Sequence, residues 1–506
     1  MEKDNSWIAP PKEQQPPRVR RKEINRQQLL LRPVEVEKLV ERDHPVRAIW
    51  ELVGRLNLEL FYAAIEAIEG VAGRPVWDPR LLISLWIYAY KDGISSAREI
   101  ARLCQYHPAY QWLTGLEVVN YHTLADFRIR HQEALDQLFI EVLGVLSHEG
   151  LITLERVMHD GTKVKASASD KSFHRKATLE DHLRLAREQV EQMGDPQSEE
   201  LSQRVAKARQ RALREKQGRL EEALKVLQQM ELSRSKEDKD KTRASSTDPE
   251  ARVMLQAKGA YGPSYNAQIS TDAKAKMIVG VGVTQAATDA AELESAVERI
   301  EANMGEKPKQ MVVDAGLTNQ ATLEAMAEKQ VDLIGALAER RGVAEKRMKQ
   351  RGVSPDFYPQ AFEYDESADC CRCPAGKVLP YETEERSGAS VRHRYRAKAS
   401  DCRGCVFEAQ CCPGTKRGRS VVRSEATPEM AAFQAKMETP EAQAVYKQRA
   451  GVAEFPNAWI KDKIGLRQFR LRGLVKVTLE AVWACLTYNI CQWIRLCWKP
   501  QQLAQA

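Results

Sequence analysis

The chain has 506 residues, 43% of them hydrophobic and 29% charged, with 77 basic against 70 acidic residues and a net charge of +7. That length is more than one hydrophobic core serves, so two or three domains are expected, and the composition excludes a fibrous or wholly disordered chain. The small basic excess permits a nucleic-acid partner without requiring one, so the positions of the cations matter more than their sum.

Residues 1–25 are polar and rich in Pro, Gln and Arg, the composition of a disordered tail, and they carry no apolar signal segment. The most apolar late stretch, Ala481 to Ile494, is short and flanked by Lys476, Glu480 and Arg495, which suits a buried core helix better than a membrane span. The expectation is a cytoplasmic, nucleoid-associated protein with no membrane partner.

Residues 26–150 read as a helical N-terminal DNA-binding domain. Asp78-Pro79 starts a helix that carries Leu81, Leu82, Leu85, Trp86, Ala89 and Tyr90 at helical spacing. Ser95 or Ser96 caps a second helix, with Glu99 completing a capping box. A third is expected from Thr123, bearing Asp126, Phe127, Arg128 and Arg130. Short helices joined by tight turns, with Arg128 offered to DNA, suit a helix-turn-helix-like bundle as well as a plain one.

Residues 151–345 read as the first part of a mixed α/β core. Val157-Met158-His159-Asp160 is a strand ending on an acid, with Gly161 expected to turn the backbone. Residues 174–245 form a charged helical insert, split at Gly194-Asp195-Pro196 and followed by a flexible linker from Lys236 to Asp248. Strands follow at Tyr265–Thr271 and Met277–Val283, a helix from Asp289 to Met304, and a strand over Gln310–Val313 that ends on Asp314. A helix over Asn319–Lys329 and a strand over Val331–Ala336 complete a five-stranded mixed sheet.

Asp160 and Asp314 share one grammar: each ends an apolar strand and is followed within two residues by glycine. If those strands are neighbours, both carboxylates emerge at one sheet edge, where hard oxygen ligands suit Mg²⁺ or Mn²⁺ and phosphodiester chemistry. Glu454 is the third acid, on a segment with Arg449 upstream and Lys461 two helical turns downstream. Pro456 implies that this helix begins near Glu454 or kinks there. Glu480 is a rival acid inside an apolar helix.

Seven of the eleven cysteines fall between Cys370 and Cys412. Within a cysteine-rich insertion at 346–430, Cys402-Arg403-Gly404-Cys405 forms a knuckle, with Cys411 beyond it and Cys373 as the best fourth ligand. Four thiolates suit a structural, tetrahedral Zn²⁺. Cys370, Cys371 and Cys412 are alternatives. Arg392, Arg394, Arg396, Lys398, Lys416, Arg417 and Arg419, interleaved with His393 and Tyr395, form a surface that could neutralise phosphates. Arg467, Arg470 and Arg472 form a second basic set, in the C-terminal part of the core (431–506).

These motifs, in this order, resemble the DDE transposases of bacterial insertion sequences, in the group with a Tyr-Arg-Glu-Lys signature: His-Asp-Gly-Thr-Lys around Asp160, Val-Val-Asp-Ala-Gly around Asp314, and Tyr446, Arg449, Glu454 and Lys461. The resemblance implies an RNase H-like catalytic core in which Asp160, Asp314 and Glu454 bind metal. It also implies that Tyr446, Arg449 and Lys461 contact DNA, and that the chain acts as a homodimer on terminal inverted repeats and target DNA. Two alternatives remain open: a nuclease of this fold without strand joining, and a non-catalytic zinc-containing DNA-binding protein derived from a transposase.

Overall fold

The computed structural model describes residues 27, 33–66, 75–192, 200–232, 234, 239–256, 259–336, 340–387, 390–424 and 427–505. The expected N-terminal tail and the separator at 194–196 lie outside the described residues.

The N-terminal region is helical, as expected. In α1 (Pro79–Lys91), Asp78 accepts the Arg80 N–H at 2.8 Å and Pro79 takes the first helical position, where its missing N–H is harmless. α2 (Ala97–Leu103) is capped by the Ser96 hydroxyl on the Glu99 N–H. α3 (Tyr121–Arg130) starts two residues before the expected Thr123 because Asn120 supplies the cap. α4 (Gln132–His148) leads into the sheet.

The sheet holds β1 (Val157–Lys165), β2 (Arg252–Leu255), β3 (Tyr261–Asp272), β4 (Ile278–Thr284), β5 (Gln310–Val313) and β6 (Asp332–Gly335). β1 is paired along its whole length, antiparallel, with Ser264–Asp272 of β3, whose other edge takes β4 and, at the start, β2. On the far side of β1 come β5 and then β6, both parallel. The expected five strands are present in the order β4-β3-β1-β5-β6, and β2 makes a sixth. The strand expected to stop at Asp160 does not: β1 runs straight on to Lys165, so Gly161 lies mid-strand and makes no turn.

Two helices, α5 (Lys176–Gln192) and α6 (Glu200–Leu232), form the insert and pack through Leu179, Leu183, Leu220, Ala223 and Leu227. The linker after them is not flexible where it is described. Ala244–Ser245 pairs with Phe173–His174, and Asp248 is fully buried, accepting bonds from the Tyr265 hydroxyl (2.8 Å) and the Gly473 N–H (3.1 Å). A buried carboxylate with such partners anchors the chain, whatever the local composition.

α7 (Leu293–Met304) and α8 (Gln320–Glu328) follow β4 and β5. α7 begins four residues later than expected, because Asp289 is drawn into a side-chain network described below. The cysteine-rich segment builds a separate five-stranded antiparallel sheet around Phe357, Leu379, Tyr395 and Val421. The chain then returns to the first sheet with α9 (Arg449–Asp462) and α10 (Leu474–Trp493).

α10 is the buried helix anticipated from its composition. The stretch Leu474–Ala504 is long and apolar enough to cross a membrane, yet 72% of its most apolar window is buried here. It packs on α1 and α4 at one side and β4 at the other. The N-terminal helices, the sheet and the C-terminal helices therefore share one hydrophobic core.

Candidate active site

Asp160 and Asp314 come together as their shared pattern suggested. β1 and β5 are parallel neighbours, with Met158 opposite Val312, so two residues further on Asp160 and Asp314 stand at the same level. Asp314 leaves the strand and turns its Oδ1 onto the Gly316 N–H at 2.9 Å. Asp160 stays in β1, its side chain on the face covered by α9, where Asn457 Nδ2 donates to its Oδ2 at 3.0 Å.

Burial is the main reason the Asp160 carboxyl is pushed up to about 6; the Arg449 guanidinium opposes this, and the negative charges of Asp314 and Asp289 add to it. Burial thus outweighs the charges that act on Asp160 from Arg449, Asp314 and Asp289.

α9 runs along β1. Asn457 sits over Asp160, and one turn later the Lys461 ammonium donates to the Thr162 hydroxyl. The helix starts at Arg449 and continues through Pro456, so it does not begin near Glu454. Glu454 lies on α9 one turn before Asn457 and is exposed. Tyr446 is half-buried against the core, at the end of the preceding short helix. Arg467 pairs with Asp462, and Arg472 Nε donates to the Ser167 carbonyl at 3.1 Å. The segment carrying Arg467, Arg470 and Arg472 is itself laid along the end of β1: Phe469 N–H donates to the Lys165 carbonyl at 2.8 Å.

Arg128 is a correction. It was expected to face DNA, but it is 7% exposed, donates to the Ser95 carbonyl at 2.8 Å and lies over the Trp86 ring at 4.6 Å. Its charge faces Glu480, which is fully buried and accepts the backbone N–H groups of Arg470 and Leu471 at 3.0–3.1 Å. Glu480 is thus a structural acid, held above the usual carboxylate range by burial. Arg419 and Tyr395 also leave the expected phosphate-binding surface. Arg419 is buried and donates to the Phe357 carbonyl at 2.7 Å, and the Tyr395 hydroxyl donates to Asp369 at 2.7 Å. Arg394 and Arg396 pair with Glu385 and Glu382.

A side-chain network that sequence reasoning missed lies on the opposite face of β1. Asp289 Oδ1 accepts bonds from Asn266 Nδ2 (2.6 Å), Gln268 Nε2 (2.6 Å) and Lys163 Nζ (3.2 Å). Because Gln268 donates to Asp289, its Oε1 is left to accept from His159 Nε2 at 2.8 Å, and His159 Nδ1 then accepts the Ser270 hydroxyl at 2.9 Å. His159 is neutral in that arrangement, and burial beside Arg299 pushes it down to about 4. Alternation along β3 (Asn266, Gln268, Ser270) was the one available signal: three polar residues on a single face of a strand.

In the cysteine-rich segment, Cys373, Cys402, Cys405, Cys411 and Cys412 line one small cavity, whereas Cys370 and Cys371 are buried in a strand beside it. The Lys377 N–H donates to Cys373 Sγ and the Arg419 N–H to Cys402 Sγ, both at 3.3 Å. Among the described residues, no three His, Cys, Asp or Glu side chains are close enough to form a ready-made metal-holding group, at the cysteines or at Asp160.

Residues 372–494 match the family model described as Transposase DDE domain, and residues 34–130 match that of a transposase domain of the DUF772 type. The first match includes Glu454; neither includes Asp160 or Asp314. No curated protein matches the chain. Among solved structures, a cryo-EM piggyBac transposase synaptic complex with hairpin DNA is similar over 91% of this chain and 75% of that one, at 9% identity and a TM-score of 0.29.

Proposed function

We propose that this chain, which carries transposase-family domains at both ends, is a DDE transposase that cleaves DNA at the ends of its element and transfers the freed strand to a target. The observation that carries the reading is the side-by-side placement of Asp160 and Asp314 on parallel neighbouring strands, with α9 laid across them. The strand order β4-β3-β1-β5-β6, three antiparallel strands followed by two parallel, supports an RNase H-like core.

Asp160, Asp314 and Glu454 are the residues that would hold Mg²⁺ or Mn²⁺. Two carboxylates on neighbouring parallel strands are hard oxygen donors that suit a divalent cation, and such an ion would supply an activated attacking oxygen and stabilise the leaving oxygen. The chain's own groups do the rest. Asn457 holds Asp160 in one rotamer, and Lys461 ties α9 to β1 through Thr162. Arg449 places a cation beside Asp160 that can face a phosphate. Tyr446, Arg467 and Arg472 lie on the elements that flank the site, where a DNA strand would pass.

Zn²⁺ at Cys373, Cys402, Cys405 and Cys411 is the structural cofactor we propose. Five cysteines line one small cavity, with backbone N–H groups aimed at two of the sulfurs, and four such ligands are what a tetrahedral Zn²⁺ site needs. Cys412 lines the same cavity and is the rival fourth ligand. A homodimer on DNA follows from the need to handle two element ends.

The test is incubation of the purified chain with Mg²⁺ and DNA bearing the element's terminal inverted repeats. End cleavage followed by joining to a target is expected, and Asp314→Asn should abolish both. Full activity of that variant would remove Asp314 from the triad. Cleavage without joining of a pre-cleaved 3′ end would favour the nuclease reading.

A further inference from the structure

Where the N-terminal helices meet the segment after α9, there is an open cleft lined by Ser95, Arg98, Tyr121, His122, Arg128 and Arg470. Its two halves are locked together from below. The Gly93 region packs on the backbone of Lys463 and Gly465, and the Arg128 guanidinium lies under the cleft facing Glu480, which holds the Arg470 and Leu471 N–H groups. The floor is therefore rigid although its walls come from residues more than 300 positions apart.

The walls carry a particular chemistry. Arg98 is exposed and lies over the Tyr121 ring at 5.2 Å, and Tyr121 in turn packs on the His122 ring at 4.1 Å. Arg470 is exposed on the opposite wall. Among the described residues no carboxylate lies within ion-pairing distance of Arg98 or Arg470. Arg102, one turn beyond Arg98, is by contrast held by Glu99 at 2.6 Å. Two arginines lining one cleft without a carboxylate in ion-pairing distance, beside the Tyr121 and His122 rings, fit a phosphodiester backbone flanked by a base or sugar.

The geometry points to this cleft as a DNA-backbone site that grips one strand between the N-terminal helices and the segment beside β1. Arg98 and Arg470 each neutralise a phosphate, and the Tyr121–His122 stack lies alongside. The inference rests on the transposase reading for its choice of polyanion, and it assigns the N-terminal helices a grip that does not use Arg128.

The experiment is equilibrium binding of the full-length chain to a labelled DNA duplex of about 30 base pairs and arbitrary sequence, in EDTA, across a series of salt concentrations. The Arg98→Gln/Arg470→Gln double variant is expected to bind about 10-fold more weakly, and its salt dependence should fall by roughly 1.8 in log–log slope, for two lost phosphate contacts. Arg102→Gln should bind as the unaltered chain does. An unchanged slope in the double variant would overturn the proposal, as would an equal loss in Arg102→Gln. The assay needs no divalent metal, so a chain that binds through the cleft but never cleaves defeats the enzymatic reading and leaves this one standing.

Discussion

The carboxylate of Asp289 occupies the space a Cβ on Gly161 would take: an added methyl would lie 2.2 Å from Oδ1. Glycine is required beside Asp160 by this close approach across the sheet, since the backbone there is ordinary strand. Gly161→Ala must push the carboxylate off Asn266, Gln268 and Lys163. A loss of about 1–3 kcal/mol is expected, read from chemical denaturation. Gly161→Ala/Asp289→Ala should lose less than the two single changes summed, because the closest clash is then gone and only the Gln268 side-chain amide, 2.7 Å from the added Cβ, still has to move.

Asp160→Asn is expected to abolish cleavage and to stabilise the metal-free fold. The folded carboxyl titrates near 6, above its ordinary value of 3.8, so the folded state holds the proton more tightly than the unfolded chain does. Its contribution is therefore favourable at low pH and is lost as pH rises from about 4 to 6. Above that window the ionised group opposes folding by about 1–3 kcal/mol. The variant should melt higher than the parent at pH 7 without metal. Added Mg²⁺ should raise the melting temperature of the parent and leave the variant nearly unmoved. A variant that melts lower would show that the Asn457 bond outweighs the buried charge.

His159 works in the opposite sense. Its folded value near 4 lies below the ordinary 6.5, so the unfolded chain takes up the proton first. Stability from this group is intact above about 6.5 and is lost as pH falls towards 4, by about 3 kcal/mol in all. His159→Gln should flatten that acid limb, as seen in urea midpoints measured between pH 7 and 4. An unaltered limb would mean that other groups set it.

Zinc should be found at about one ion per chain by elemental analysis. Its removal with a strong chelator should expose the segment around 363–424 to protease while α1 to α4 stay resistant. Cys402→Ser should mimic chelation, and Cys371→Ser should not, because Cys371 does not line the cavity. Protection that survives chelation would argue for a sheet held by its own core of Phe357, Leu379 and Val421.

Glu480→Ala should destabilise the chain by about 3–5 kcal/mol, leaving Arg128 without its counter-charge and two N–H groups without an acceptor. Glu480→Gln should recover part of this, since its carbonyl oxygen still accepts one of them. Thermal denaturation of the two variants side by side makes the comparison. Equal losses would show that charge alone matters there.

The fold and the candidate site were legible where the pattern is written locally. The strand carrying Asp160, the strand end at Asp314, the helix caps at Asp78 and Ser96, and the apolar α10 all follow from residues within a few positions of one another. What stayed hidden depends on contacts between distant segments. Gly161 looked like a turn because the residue that fills its missing side chain lies 128 positions away. Arg128 looked like a surface cation because its counter-charge is at 480. Lys236–Asp248 looked like a solvated linker until Asp248 was seen bonded to Tyr265 and Gly473.

The shared core has a consequence for synthesis. α1 and α4 bury their apolar faces against α10, so the first helices to leave the ribosome await a partner near the end of the chain. The last strip alongside β1 is closed by residues 467–469. A chain ending before about residue 454 would lack most of α9 and all of α10, leaving β1 and the N-terminal bundle uncovered. The shared core therefore closes only after residues as late as Trp493 have emerged, and a chain cut short before them leaves the apolar faces of α1 and α4 open to protease.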